Sequence, residues 1–481
     1  MLSCEQLHQQ LCPSSSRSST ATRAAFAFTA LGALFSACST TAYERGAWQR
    51  INTAERRTPD PRPTQSAADR RGPPDPGTAG FDGSLAGYVA HAVQHNPSLR
   101  AAFEDWRAAV HSIARARRLP EPTLGYGVFL RRIETRVGPQ RQRFSLRQMV
   151  PWPGVLTAAA DAAAGAAAAA ESRFEARGLA VRQGVAEAYW ALWLVRRTRV
   201  IKREQRELLI QLAALVRSRI EVGRAQLADA AQIDLEVSRL DDVLAGLDQR
   251  EERARATLIE IVGGSAEIPT PTSEKAPGPA LPQADVASLR ASARNHPEVL
   301  QHRAMAEASD HRVRRARAEG LPSVVLGVDY IETGEAATSA VEDSGKDAVA
   351  VSVAISLPLW RNSYRREADS AAARAAAARA RRRAAENRAD AEVDRVLADV
   401  RNSARRIDLY RKTLIPQGDT VYAAVIGAYQ SGTSSLASAL IAQKNALEMR
   451  IQHASAQAEH ARAWARLEAL AGHQITHEEN P

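Results

Sequence analysis

Val349-Ala350-Val351-Ser352-Val353-Ala354-Ile355-Ser356-Leu357-Pro358 decides how the chain folds. Branched apolar residues alternate with Ala and Ser, and a period of two is the mark of a strand with one apolar and one small or polar face. Leu124, Tyr126, Val128 and Leu130, and then Phe144, Leu146, Gln148 and Val150, repeat the pattern more loosely around an expected turn at Gly138-Pro139. Such a sheet meets apolar surroundings on one side only.

Each strand pair leads into helix of unusual length. No proline interrupts the chain between Pro153 and Pro269, a span far beyond an average globular helix. Ile233, Val237, Leu240, Leu244, Leu247, Leu258 and Ile261 recur mostly at steps of 4 and 3. Leu194, Ile201, Leu208 and Leu215 recur by 7, the seam of a coiled coil. Smaller knobs, Leu440, Leu447, Ile451, Ala454, Ala458 and Ala461, take that role later. Each run breaks only near Gly223 or Gly432, so each is an antiparallel hairpin with its tip there. From Val155 to the first tip the helix should reach roughly 100 Å at 1.5 Å per residue. Pro416 should kink the second rising helix.

The two halves align. Pro97 to Pro297 is 200 positions, Pro120 to Pro322 is 202 and Pro151 to Pro358 is 207, while Gly223 to Gly432 and Gly263 to Gly472 are both 209. Five landmarks in one order, with only small insertions, establish a duplication. The first repeat spans 81–262, with a strand hairpin at 122–151 and a helical hairpin at 155–262. The second spans 284–472, with a strand hairpin at 323–358 and a helical hairpin at 361–472. Between them lies a proline-rich linker, 263–283, and after them a tail, 473–481.

The chain has 481 residues, a formal charge of +10, only 5% aromatic residues and three cysteines. Arg17 and Arg23 precede an uncharged stretch from Ala24 to Ala37, the build of a secretory signal over 1–37. Leu34-Phe35-Ser36-Ala37-Cys38 resembles a bacterial lipoprotein processing site, which makes Cys38 the expected lipid attachment point. Residues 38–80, rich in Pro, Arg, Thr, Ser and Gly, should form a lipidated extended arm. No other stretch approaches eighteen apolar residues and the mean hydropathy is −0.32, which excludes a membrane helix in the mature chain but not a barrel.

Other chemistry finds little support. Arg379, Arg381, Arg382 and Arg383 alternate with alanine inside a long helix and read as a solvated face, not a nucleic-acid surface. His473 and His477 lie past the last glycine with no third ligand, and Asp241-Asp242 and Glu251-Glu252 fall on expected exposed flanks. No phosphate loop, nucleophile elbow or zinc motif is present, so no cofactor, metal or catalytic residue is assigned.

Two strand hairpins give four strands, too few to close a barrel, whose smallest membrane forms have about eight. Open edges in lipid are prohibitive, so several copies must combine, and three would supply twelve strands. With these features the chain resembles the TolC-like outer-membrane efflux proteins from Leu85 to Gly472. The resemblance rests on Asn96-Pro97-Ser98-Leu99, Gln148-Met149-Val150-Pro151-Trp152-Pro153-Gly154, Ser356-Leu357-Pro358-Leu359-Trp360 and Tyr429-Gln430-Ser431-Gly432. It implies a mainly α protein with a β-barrel part, a homotrimer with a twelve-strand barrel in outer-membrane lipid, and an α-helical periplasmic tunnel. It also implies docking onto a periplasmic adaptor and an inner-membrane pump of the resistance-nodulation-division type, with no enzymatic activity.

In that family the hairpin tips touch the adaptor and close the tunnel. The resemblance places these roles at Val222, Gly223, Arg224, Asp229, Tyr429, Gly432, Ser434 and Ser438, with Asp229 and Tyr429 as hydrogen-bonding latch residues. Ser434 stands where the family pattern has a basic residue, Ser438 and Ile441 where it has an acidic ring, and Arg224 where it has an apolar residue. A periplasmic coiled-coil lipoprotein without a pore is the competing expectation, and the regular alternation of Val349 to Leu357 argues against it.

Overall fold

The computed structural model describes residues 42–57, 83–264, 276, 278–338, 342–473, 475 and 477–478. The expected signal, Cys38 and most of the arm and linker lie outside the described residues. In chain order come α1 (Ala42–Arg57), α2 (Leu85–His95), α3 (Pro97–Ala116), β1 (Thr123–Thr135) and β2 (Gly138–Val150). Next are α4 (Val155–Glu221), α5 (Leu227–Val262), β3 (Leu281–Pro282), α6 (Val286–Arg294), α7 (Pro297–Glu319), β4 (Ser323–Thr333) and β5 (Ala348–Ser356). The second hairpin is α8 (Arg361–Leu409), a π-helical turn (Tyr410–Leu414), α9 (Ile415–Ser431) and α10 (Leu436–Ala471), and β6 (His477–Glu478) closes the chain.

The strand pairs of the two repeats join into one antiparallel sheet in the order β1-β2-β4-β5. Below it α4, 67 residues long, is the axis on which α3, α5, α7 and α10 pack. Its alanine-rich start permits close approach: a Cβ added at Gly165 would lie 2.9 Å from the Cβ of Ala308 on α7. The junction motif explains how two shorter helices continue one another alongside α4. Asn96 Oδ1 accepts from the amides of Ser98 and Leu99 at 3.0 and 3.1 Å, capping α3, while its Nδ2 donates to the Ile261 carbonyl at 2.7 Å, capping the end of α5. In the second repeat His296 takes the Asn96 place and accepts from the Glu298 amide at 3.3 Å.

Several expectations are corrected. The arm is not extended throughout: α1 buries Ala47 and Ile51 against Phe103, Trp106 and Val110 of α3, and Glu44 pairs with Arg117 at 2.9 Å. Few apolar residues suffice there because the receiving surface supplies the aromatic bulk. The first strand turn falls at Arg136-Val137, with Gly138 already in β2. Near the tip the buried seam of the rising helix is Leu209, Leu212 and Val216, with Leu215 half-buried against it and Leu208 half-buried, and Leu194 is half-buried where Leu192 is buried. The linker and tail are not featureless, since Leu281 and Pro282 of β3 pair with β6. Pro416 acts through the turn before it: the Ile415 amide bonds back to the Tyr410 carbonyl, a π-helical bond that absorbs the missing donor of Pro416. Glu251 is no solvated flank, because Arg196 of α4 donates to it at 2.7 Å and Arg199 also pairs with it.

Candidate functional site: a one-sided sheet and paired hairpin tips

The register sorts the sheet into two faces. Leu124 lies opposite Leu146, Leu146 opposite Val328 and Val328 opposite Val351, and the row Tyr126, Phe144, Tyr330, Val349 runs beside it. All of these are exposed, from 39% at Phe144 and Tyr330 to 80% at Val351, so one side of the sheet is a continuous bare apolar surface. A chain in water rarely leaves such a patch open. The opposite face carries Gly125, Ser145, Asp329 and Ala350 in one row, and Gly127 with Arg143 in the next. There Arg143 donates to buried Asp329 at 2.7 Å. β1 and β5 are both edges. Where strands pass into helices, Trp152 is 42% and Trp360 77% exposed.

At the far end both tips use one backbone solution. Gly223 (φ 70) and Gly432 (φ 86) are left-handed, and the amides of Arg224 and Thr433 return to the carbonyls of Arg219 and Ala428 at 2.8 and 2.9 Å. Val222, Arg224 and Ser438 are exposed and Ser434 is half-buried. Asp229 accepts from the Gln226 amide at 3.0 Å, so it caps α5 within its own tip. Tyr429 is 5% exposed, packed with Leu209, Leu212, Val216, Ile233 and Leu436. Its hydroxyl has no hydrogen-bond partner among the described residues, and burial pushes its pKa up.

Sequence reasoning missed Arg219, whose guanidinium lies 4.8 Å from the Tyr429 ring centroid and donates to the Tyr429 carbonyl. It thereby ties the first tip to the second. An arginine four positions before the tip glycine, on a helix face shared with Val216, was the available signal. Leu227, 78% exposed just past the first tip, was also overlooked. His473 and His477 do not share a helix, because α10 ends at Ala471, and no group of metal-ligating side chains occurs among the described residues. Arg379 is exposed and pairs with Asp310 at 2.6 Å, consistent with a solvated face.

The chain thus sets a sheet, bare on its apolar side and open at both edges, on a long helical column that ends in two joined tips. Residues 289–473, most of the second repeat, match the family described as outer membrane efflux protein. The chain is 27% identical to protein CyaE of Bordetella pertussis over 401 residues, 79% of this chain and 82% of CyaE. Its fold is similar to the outer membrane protein VceC of Vibrio cholerae, with TM-score 0.68 and 21% identity over 81% of this chain and 96% of VceC. It is similar also to the Campylobacter jejuni CmeC outer membrane channel, with TM-score 0.66 and 15% identity over 82% of this chain and 87% of CmeC.

Proposed function

We propose that three copies of this chain close a twelve-strand barrel in the bacterial outer membrane and serve as the passive exit duct of a tripartite efflux system. The observation that carries this is the sheet: its exposed apolar face suits lipid, its polar face suits a water-filled bore, and its two open edges call for pairing with neighbouring copies. Trp152 and Trp360 stand at the level where aromatic side chains anchor a membrane boundary. Lipidation of Cys38 would add a second anchor.

The tips, with Val222, Gly223, Arg224, Gly432, Ser434 and Ser438, are assigned to contact with a periplasmic adaptor and to gating, and an inner-membrane pump of the resistance-nodulation-division type supplies the energy. Asp229 and Tyr429 are the latch. Asp229 holds the tip of α5 in shape and Tyr429 holds the second tip against the first. Purified protein in planar bilayers should conduct ions, and Asp229→Ala with Tyr429→Ala should raise the conductance. A wild-type protein that never conducts removes the duct; an unchanged conductance in the double variant removes the latch.

A further inference from the structure

Immediately below the sheet, α3, α4 and α7 enclose a hollow of about 550 Å³. Its floor is Val155, Ala159, Ala162 and Ala166 of α4, side chains too small to fill it, and its rim is Arg115 of α3 and Arg118 just past its end, with Arg312 and Arg315 of α7. Arg118 pairs with exposed Glu121 at 3.1 Å and Arg315 with Glu319 at 2.8 Å. Arg115 and Arg312 have no acidic partner among the described residues. The start of α4, whose residue Gly154 offers no capping side chain, adds the positive end of a helix dipole.

The hollow faces away from α1. Around α4, Ala164 and Ala167 lie in the cluster that receives α1 and Glu171 meets Tyr43 and Arg50, while Ala163 borders both that cluster and the hollow. The floor row 155, 159, 162 and 166 lies roughly a third of a turn round, on the other side of α3, at 3.6 residues per turn. Arg117 shows the same division, turning to Glu44 of α1 while its neighbours Arg115 and Arg118 turn to the hollow. Three copies of α1, each about 10 Å across with side chains, would obstruct a bore, so α1 belongs outside and the hollow inside. Farther down this inner row, Arg173 and Arg177 line a second hollow of about 360 Å³ beside Arg466, with Glu298 and Glu392 opposite.

The geometry points to an anion-attracting station on the inner wall, which takes multivalent oxyanions, phosphate- or carboxylate-bearing solutes, and makes the duct favour anions over cations. This rests on the reading of the protein as a channel. Clustered arginines over a low-dielectric floor concentrate such ligands and filter by charge. In a potassium chloride gradient the wild-type protein should be more permeable to chloride than to potassium, and added pyrophosphate should block the current. Arg115→Gln with Arg312→Gln should lower the chloride-to-potassium permeability ratio by about threefold or more and relieve the block, while the paired Lys variants keep both. A cation-selective wild-type channel, or a Gln variant with unchanged ratio and unchanged conductance, overturns the station. If the protein never conducts, the duct is lost, and calorimetric titration of pyrophosphate into the solubilised protein then decides the hollow alone. Binding that vanishes in the Gln variant upholds it, and no binding in the wild type overturns it.

Discussion

The two helical hairpins share a plan but not a packing. The first is stapled by large side chains: Leu209, Leu212 and Val216 of α4 close on Ile233 and Leu240 of α5, all buried. Nearer the sheet the second packs Val393, Val396, Leu397 and Val400 of α8 with Leu467 of α10, but toward its tip it is closed largely by Ala439, Ala442 and Ala446 of α10, and its rising helix is interrupted by the π turn at Tyr410–Leu414. Large interdigitating knobs remove more apolar surface from water than alanines do, so the first hairpin is the stiff member and the second the compliant one. Opening of the duct should therefore begin in the second hairpin, pivoting at the π turn. Arg219, reaching from the first tip to Tyr429, is the contact that such a movement would have to break.

The largest test of that contrast is a truncation on each side. Ile233→Ala empties a fully buried site and should cost about 2–5 kcal/mol of local stability, read as faster hydrogen exchange along α5. Ala446→Gly on α10 should cost only about 1 kcal/mol. Equal losses would remove the distinction. The junctions give a middle-sized effect. Asn96→Ala deletes caps on two helices at once and should cost about 1–2 kcal/mol. His296→Ala deletes one long contact and should cost less; thermal unfolding of the two variants orders them.

The smallest effect is a pH dependence confined to the second hairpin. The first hairpin, 155–262, contains no histidine, whereas α10 holds His453 and His460. Burial holds both imidazoles below the ordinary histidine value, and His460 is bonded to the Ser403 hydroxyl at 3.0 Å. With the folded pKa depressed, the unfolded segment takes up a proton first. Stability is thus full above about 6.5 and falls as the pH drops below that value. After correction for the intrinsic pH dependence of exchange, protection in α8 and α10 should fall between pH 7 and pH 5 while protection in α5 stays unchanged, and His460→Gln should remove most of the difference.

Long-range order was legible in the chain because its signals are periodic. The duplication, the strand faces and both glycine tips come from spacing alone. What stayed hidden depends on partners far away in sequence. The helix α1 forms because Phe103 and Trp106 receive it, and the tail pairs because Leu281 offers an edge. The seam shift from Leu208 to Leu209 comes from packing against two neighbours, α5 and the second tip, where a heptad reading assumes one. At the tips the glycines were readable but the contacts that Asp229 and Tyr429 make within the chain were not. A carboxylate three residues into a helix can cap its own chain or reach another, and only the observed bond to Gln226 shows the former. Arg219 escaped because its partner lies 210 positions away.

A closed barrel requires the two open sheet edges to find each other in neighbouring copies. Cysteines placed one at a time at Gly127 of β1 and, in the same chain, along Ala350, Ser352 and Ala354 of β5 test this through disulfide-linked species in native membranes. A trimeric barrel predicts that at least one pair yields dimers and trimers with nothing larger, and that either cysteine alone yields no trimer. Chains that remain single for every pair, or a ladder extending beyond three, would contradict it.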